Sequence, residues 1–189
     1  MRKLILSMQV SLDGYVESPS GDMDWMDISS NEGWAVVFDM MKNVDLLLLG
    51  RNMYPGYRDF WKHALADLAA AENDRKYARI ADSLPHIVFS KTLKEPGWSN
   101  TIINSGDPTR EISKFKSQDG KDIYLVGGAM LASTALDAKL VDVLVLKIAP
   151  FLLGGGKSLF KDLHTRQELK LTDVRSFSDG MVDLTYRRR

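Results

Sequence analysis

Four consecutive leucines at residues 46–49 constrain the fold of this chain more than any other feature. The run follows Asp45 and ends at Gly50, so it has the length of a strand and is too short for an ordinary helix. A strand that is apolar at every position is buried on both faces, which is typical of a parallel sheet covered by helices. The sequence therefore predicts an α/β protein built around this strand.

Segments of alternating character on either side of the run predict the remaining topology. Strands are predicted at 4–10, 45–49, 86–90, 101–104, 123–126 and 141–148, and helices at 31–42, 64–83, 108–115 and 129–136. Asn31 is expected to cap the first helix, and Pro85 to end the second. Two last β-prone runs, 169–177 and 181–187, flank a Ser-Asp-Gly turn and predict a hairpin.

This order of elements predicts a mostly parallel mixed central sheet with helices on both faces and an antiparallel C-terminal hairpin. The length of 189 residues fits one domain, residues 1–189. Lys plus Arg equals Asp plus Glu, at 25 each, so no basic face for nucleic acid is expected. No apolar run has the length of a membrane span, so no membrane partner is expected either.

Cysteine and histidine usage narrows the chemistry. The chain has no cysteine, which excludes disulfides, thiolate metal sites and cysteine nucleophiles and is consistent with a cytoplasmic location. His63, His86 and His164 stand far apart in sequence, without the spacing of a ligand pair. No metal site is therefore predicted, and each histidine is interpreted as an ordinary surface or helix-end residue.

A strand that ends in two glycines is the strongest sign of a ligand site. Residues 122–126 lead into Gly127 and Gly128, and the predicted helix 129–136 follows at once. Glycines permit close backbone approach, and the free N–H groups of a helix start attract an anion. From this stretch alone, an anion site and a tight turn without a ligand are equally good interpretations. A Walker A loop is excluded because Pro150 stands where its first glycine is required before Gly155, and no Gly-x-Ser-x-Gly elbow is present.

Other predicted strands also end in glycine or polar residues. These ends are Asp13-Gly14, Gly50-Arg51 and Ser90-Lys91-Thr92. Since the carboxyl ends of parallel strands form the ligand crevice of such sheets, these residues are expected to face one cleft. Arg51 and Lys91 suit a phosphate, and the two hydroxyls can donate to it. Together the strand ends predict a phosphorylated cofactor.

Motifs along nearly the whole chain also resemble a known family. They are Ser-Leu-Asp-Gly (11–14), Gly-Asp-Met-Asp-Trp (21–25), Leu-Leu-Gly-Arg-Asn-Met-Tyr (48–54), Val-Phe-Ser-Lys-Thr-Leu (88–93) and Tyr-Leu-Val-Gly-Gly (124–128). In this order they resemble the dihydrofolate-reductase-like fold, a three-layer α/β/α architecture. Within that fold the chain is most similar to the reductase domain of the riboflavin-biosynthesis deaminase/reductase group.

The resemblance implies a reductase that transfers hydride from NADPH to a pteridine- or pyrimidine-like substrate, of the 5-amino-6-(5-phosphoribosylamino)uracil reductase type. The cofactor-binding residues it implies are Val10, Asp13, Gly14, Gly50, Arg51, Asn52, Met53, Ser90, Lys91, Gly127, Gly128, Ala129 and Met130. The substrate-binding residues it implies are Met8, Met23, Trp25, Trp34 and Tyr54. Lys91, as an extra cation, favours NADPH over NADH. The apolar residues of 141–148, 151–153 and the C-terminal hairpin predict a homodimer, as in relatives of this family, and an ordinary core is the alternative interpretation of these segments.

The substrate half of the site is less determined. Asp24, Asp27 and Glu32 are the candidate catalytic carboxylates. Glu32 is nearest in position to the acidic residue of folate reductases, and a simple first-turn helix charge is an equally good interpretation. The zinc deaminase half of the riboflavin enzyme is absent from this sequence, which predicts a stand-alone reductase domain. Dihydrofolate reductase activity proper and a non-catalytic nucleotide- or pterin-binding module are the alternatives.

Overall fold

A computed structural model of the chain describes residues 1–26 and 30–189. Its strands are β1 (Leu4–Ser11), β2 (Tyr15–Glu17), β3 (Val44–Gly50), β4 (His86–Phe89), β5 (Thr101–Asn104), β6 (Asp122–Gly127), β7 (Val143–Ala149), β8 (Lys157–Ser158), β9 (Leu169–Ser176) and β10 (Val182–Arg188). Its helices are α1 (Asn31–Met41), α2 (Tyr54–Ala66), α3 (Glu72–Ser83), α4 (Pro108–Ser117) and α5 (Ala129–Asp137), with a short 3₁₀ helix at Asp24–Met26.

Eight strands form one sheet in the order β5-β4-β3-β6-β1-β7-β10-β9. The strands from β5 to β7 are parallel, and β10 runs antiparallel to both β7 and β9. The leucine run lies in β3, between β4 and β6, and all four leucines are buried. The predicted mixed sheet with its antiparallel C-terminal hairpin is confirmed.

Helices cover both faces of this sheet. On the α1 face, Trp34, Tyr57 and Tyr77 bring α1, α2 and α3 onto the leucines of β3. On the opposite α5 face, Ile112 of α4 and Leu136 of α5 pack against β1 and β6. The structure therefore has the predicted three-layer α/β/α arrangement.

Two local predictions were wrong. Residues 64–83 do not form one helix, because α2 ends at Ala66 and α3 begins at Glu72. The carboxylate of Asp67 accepts a hydrogen bond from the backbone N–H of Ala69 at 2.8 Å, and such a turn competes with helix continuation. The N-cap of α1 is Ser30 and not Asn31, since the Ser30 hydroxyl accepts from the Gly33 N–H at 3.1 Å.

The prediction for His86 was also wrong, because this residue is fully buried in β4. Its ring stacks on Trp98 at a centroid distance of 4.9 Å and meets the edge of Tyr57 at 5.7 Å. Neither ring nitrogen has a hydrogen-bond partner within the described part of the chain. Burial penalises the charged imidazolium and lowers the pKa of His86 from 6.5 to about 4.

Candidate cofactor site

The ends of β3 and β6 form a cradle of glycines. A Cβ on Gly50 would lie 3.5 Å from the Gly127 carbonyl oxygen and 3.6 Å from the Gly128 Cα. Gly128 has a φ of 78° and is the N-cap of α5, and no described side chain caps that helix. The first N–H groups of α5 therefore remain available to an anion that approaches over glycine backbone.

Two methionines form one wall of this cradle. A Cβ on Gly127 would lie 2.6 Å from the sulfur of Met53 and 3.2 Å from the sulfur of Met8. These thioethers fill the space that a larger residue at Gly127 would need. The structure thus brings together Met53, predicted to bind cofactor, and Met8, predicted to bind substrate.

A cleft of about 450 Å³ lies where β3 and β4 end, lined by Arg51, Asn52, Pro55, Thr92 and Leu93. The Arg51 guanidinium donates to the Thr92 hydroxyl at 3.1 Å, which joins the two strand ends. Arg51 is exposed, and so is Lys91, which directly precedes the lining residue Thr92, so two cations at adjacent strand ends are open to an anionic ligand.

Ser90 directly follows β4, and its hydroxyl is engaged within the protein. It is buried, and its hydroxyl oxygen accepts from the backbone N–H groups of Thr92 at 3.1 Å and Leu93 at 2.8 Å. Ser90 therefore shapes the turn that carries Lys91 and Thr92.

Asp13 is likewise engaged within the protein. Its carboxylate accepts from the Ser11 hydroxyl at 2.6 Å and from the N–H groups of Leu153 at 3.2 Å and Gly154 at 2.8 Å. These bonds, the one from Ser11 foremost, lower the pKa of Asp13. Asp13 holds the loop after β7 against the end of β1, beside the left-handed turn at Gly14.

Two residues predicted to bind substrate lie in the core. Tyr54 is fully buried, and its hydroxyl donates to the Pro96 carbonyl at 2.7 Å and lies 3.0 Å from the Thr101 hydroxyl. Trp34 is buried between Phe38 and Tyr77 of the α1 face. Neither side chain lines the cleft of Arg51 and Thr92, and their predicted contact with substrate stays a prediction.

The segment with Met23 and Trp25 lies beside strands β7 and β10, which are distant from β3 in the strand order. Trp25 packs with Ala149 and Met181, and its carbonyl oxygen is 3.5 Å from the amide nitrogen of Gln9. Met23 is 56% exposed. The anchor at Trp25 holds the segment near the end of β7 and the start of β10, which are three and four strands away from β3.

Family comparisons decide the assignment. Residues 2–182 match the model of the RibD C-terminal domain. The chain belongs to the RibD C-terminal domain family. Its relatives in Bacillus subtilis (strain 168) include the uncharacterized protein YyaP, 34% identical over 185 residues, which are 98% of this chain and 94% of YyaP. A second is the uncharacterized protein YwjB, 27% identical over 99% of this chain and 98% of YwjB.

Solved structures share the fold of this RibD C-terminal domain. A putative riboflavin biosynthesis protein from Shewanella sp. PV-4 superposes with a TM-score of 0.76 at 24% identity, covering 99% of both chains. A diaminohydroxyphosphoribosylaminopyrimidine deaminase/5-amino-6-(5-phosphoribosylamino)uracil reductase from Thermotoga maritima superposes with a TM-score of 0.71 at 18% identity. The match covers all of this chain and 57% of that protein. The resemblance inferred from the motifs is confirmed.

Two of the three candidate carboxylates of this RibD C-terminal domain, Asp24 and Glu32, lie within the described residues. Asp24 is exposed and accepts a hydrogen bond from the adjacent Trp25 N–H. Glu32 is exposed in the first turn of α1. Asp27 lies outside the described residues.

The sequence patterns did not predict a buried ion pair that the structure contains at the start of β10. The Lys147 ammonium of β7 lies 2.8 Å from the Asp183 carboxylate of β10. Each charge interrupts a run of β-prone residues, 141–148 or 181–187, and two such interruptions of opposite sign in adjacent strands were the available signal.

Residues 1–26 and 30–189 contain neither a cluster of metal-ligating side chains nor a membrane-spanning helix. No group of three or more His, Cys, Asp or Glu side chains is arranged to hold a metal ion. No helix in these ranges is long and apolar enough to cross a membrane.

Proposed function

We propose that this protein is an NADPH-dependent oxidoreductase that transfers hydride to a pteridine- or pyrimidine-like substrate, in the manner of a 5-amino-6-(5-phosphoribosylamino)uracil reductase. The observation that carries the proposal is the contact between Gly50 and Gly128 at the uncapped start of α5. Glycine backbone at a helix N-terminus, next to exposed Arg51 and Lys91, is suited to a dinucleotide with an extra phosphate.

In this proposal each part of the chain has a defined task. The backbone N–H groups of Ala129 and Met130 hold the pyrophosphate, and Arg51 and Lys91 bind the phosphate on the adenosine ribose. Val10 and Gly14, where β1 ends, border the nicotinamide ribose. NADPH, when bound, supplies the hydride, while the protein supplies orientation and excludes water.

The substrate class rests on the family and on the names of its structural neighbours. One neighbour is named a putative riboflavin biosynthesis protein, and another a deaminase that is also a 5-amino-6-(5-phosphoribosylamino)uracil reductase, and both share the fold described above. The proposal takes the whole chain, 1–189, as one reductase domain that works in the cytoplasm on a small molecule.

The activity is tested by following NADPH oxidation with a panel of substrates. The panel contains the ribosylaminouracil of the riboflavin route, dihydropterin and dihydrofolate. We expect NADPH to be oxidised when the ribosylaminouracil or the dihydropterin is the hydride acceptor. Oxidation with dihydrofolate alone would instead establish dihydrofolate reductase activity proper.

A non-catalytic nucleotide- or pterin-binding module is the second candidate. Asp24 and Glu32 are the two candidate catalytic carboxylates that the structure describes, and both are exposed to solvent. This exposure favours a binding module, because neither carboxylate is fixed in place as a catalytic acid. If the protein binds NADPH tightly but no member of the substrate panel causes NADPH oxidation, this result would support the binding module and contradict the reductase activity.

Arg51→Ala is expected to raise the Kd for NADPH about tenfold, which is the loss of one charge-assisted contact at an exposed site. The Kd for NADH should change less, because NADH lacks the extra phosphate. Titration calorimetry with both cofactors measures the two effects. Arg79→Ala, which removes an exposed arginine from α3, is the matched control and should leave both constants unchanged.

We further propose a homodimer formed through the α5 face of the C-terminal hairpin. Leu171 and Val174 of the edge strand β9 are 46% and 54% exposed, and they continue the half-buried surface of Leu184 and Leu146. Exposed apolar edge strands favour pairing with another chain. Light scattering should give the mass of a dimer, and Leu171→Lys with Val174→Lys should give a monomer. A monomeric wild-type mass would contradict the homodimer.

A further inference from the structure

The pair of Lys147 and Asp183 belongs to a buried polar row on the α1 face. Gln9 of β1, Lys147 of β7 and Asp183 of β10 are register partners on adjacent strands, so their side chains emerge side by side. All three residues are buried, and the side chain of Asp183 is only 3% exposed.

The hydrogen-bonding capacity of this row is not fully used. Asp183 Oδ2 accepts from the Lys147 ammonium at 2.8 Å, whereas the buried Oδ1 has no partner among the residues that the structure describes. Lys147 has three donors, and besides Asp183 its ammonium lies 5.8 Å from the ring centre of Phe177. The contact of Gln9 to the Trp25 carbonyl is long, at 3.5 Å.

Such a pair is a poor stabilising device on its own. Taking two charges out of water is repaid only when further hydrogen bonds satisfy the remaining oxygens and protons. An incompletely satisfied buried pair is therefore complementary to a ligand that supplies one donor and one acceptor.

The row also lies on the appropriate side of the cofactor cradle. Gln9 and Lys147 are near the carboxyl ends of their strands, and Asp183 is near the start of the antiparallel β10, so all three lie towards the end of the parallel strands at which β6 reaches Gly127. From β6 to β7 is two strand spacings, about 10 Å. Phe177 and Trp25 pack into one apolar cluster at the same end, which provides aromatic surface beside the polar row.

We propose that the Lys147–Asp183 pair recognises the substrate of this reductase. Asp183 Oδ1 accepts a hydrogen bond from a ring N–H, and the Lys147 ammonium donates to the adjacent ring carbonyl. A neighbouring N–H and C=O are the edge of a cyclic lactam, as in a pyrimidinone or pteridinone ring. Asp183 then fills the role of substrate carboxylate for which the sequence offered Asp24, Asp27 and Glu32. The inference rests on the proposed function, since it supplies the substrate half of the same site.

Two uracils and two double variants, one of them a control, test this assignment. The probes are 5,6-diaminouracil and 5,6-diamino-1,3-dimethyluracil, which differ in the ring N–H donors that Asp183 would bind. Binding of each probe is titrated by calorimetry, with and without NADPH. Wild-type protein is expected to bind the unmethylated uracil at least tenfold more tightly, because a hydrogen bond to a charged group is lost on methylation.

Lys147→Met with Asp183→Leu replaces the pair by apolar side chains, which buried pairs tolerate better than the loss of one partner. This variant should bind both uracils equally weakly while its Kd for NADPH stays at the wild-type value. Lys116→Met with Asp142→Asn is the control, because it removes the 2.5 Å ion pair at the amino end of β7, away from the polar row. This variant should keep the preference for the unmethylated uracil.

Different results would contradict the assignment of the ion pair and the proposed function. A wild-type protein without preference between the two uracils, or a double variant that keeps the preference, would overturn the assignment of Lys147 and Asp183. The absence of NADPH binding would instead overturn the proposed function, and the uracil titration without NADPH would still decide the role of the pair.

Discussion

Gly128→Val is expected to weaken NADPH binding at least 100-fold while the protein still folds. Gly128 has a φ of 78°, a conformation that a β-branched residue adopts only with strain, at a cost of about 1–3 kcal/mol. Its Cβ would lie 3.6 Å from the Gly50 Cα, so the valine methyl groups would fill the cradle itself. The Kd for NADPH is measured by calorimetry, and the loss of stability by urea unfolding.

Gly180→Val is the matched control for this strain. Gly180 lies in the β9–β10 turn with a φ of 87°, and a Cβ there would lie 3.3 Å from Pro150. We expect a comparable loss of stability and an unchanged Kd for NADPH. A Gly128→Val protein that binds NADPH within threefold of wild type would remove the glycine cradle from the cofactor site.

The free energy of unfolding is expected to fall by about 3 kcal/mol between pH 6.5 and pH 4 through His86 alone. Burial lowers the pKa of this residue to about 4 in the folded state, against 6.5 for the free side chain. Between these values the unfolded chain binds the proton and the folded protein does not. The contribution is complete above pH 6.5 and is lost progressively as the pH falls to the folded pKa.

His86→Phe isolates this contribution, because phenylalanine keeps an aromatic ring against Trp98 and cannot be protonated. Urea unfolding at half-unit pH steps should show a stability difference between wild type and variant that changes by about 3 kcal/mol over the range. His63→Gln, at a side chain that is 79% exposed, is the control and should follow the wild-type curve. Parallel curves for wild type and His86→Phe would show that His86 is protonated equally in both states.

The fold could be predicted because its signals are local. The leucines at 46–49 require burial on both faces, and the alternation of strand-like and helix-like segments gives the order of layers. The break between α2 and α3 was not predicted, because the alanine-rich composition of 64–83 favours helix throughout. The side chain of Asp67 ends the helix there through one hydrogen bond that composition does not reveal.

The meeting of the strand-end glycines, where we propose that the cofactor binds, was also within reach of the sequence. Gly50, Gly127 and Gly128 stand at strand ends, and parallel strands bring their carboxyl ends to one edge. Arg51 and Lys91 follow two of those ends directly, so their exposure near one cleft required no knowledge of distant packing.

The substrate half depends on contacts between residues far apart in the chain. Tyr54 and Trp34 resemble ligand-contacting aromatic residues, yet their burial is decided by Pro96, Thr101 and Tyr77. Lys147 and Asp183 are 36 residues apart and meet only because β10 pairs with β7 in one register. Sequence patterns determine elements well, but they do not determine which side chains share a face across strands.

We propose above all that this RibD C-terminal domain binds NADPH at the Gly50–Gly128 cradle. The most direct measurement is thermal unfolding against increasing NADPH, with NADH at the same concentrations. A ligand that binds only the folded state adds about 2.7 kcal/mol at 100 times its Kd, so the Tm should rise steadily with NADPH and less with NADH. An unchanged Tm at millimolar NADPH would contradict the account.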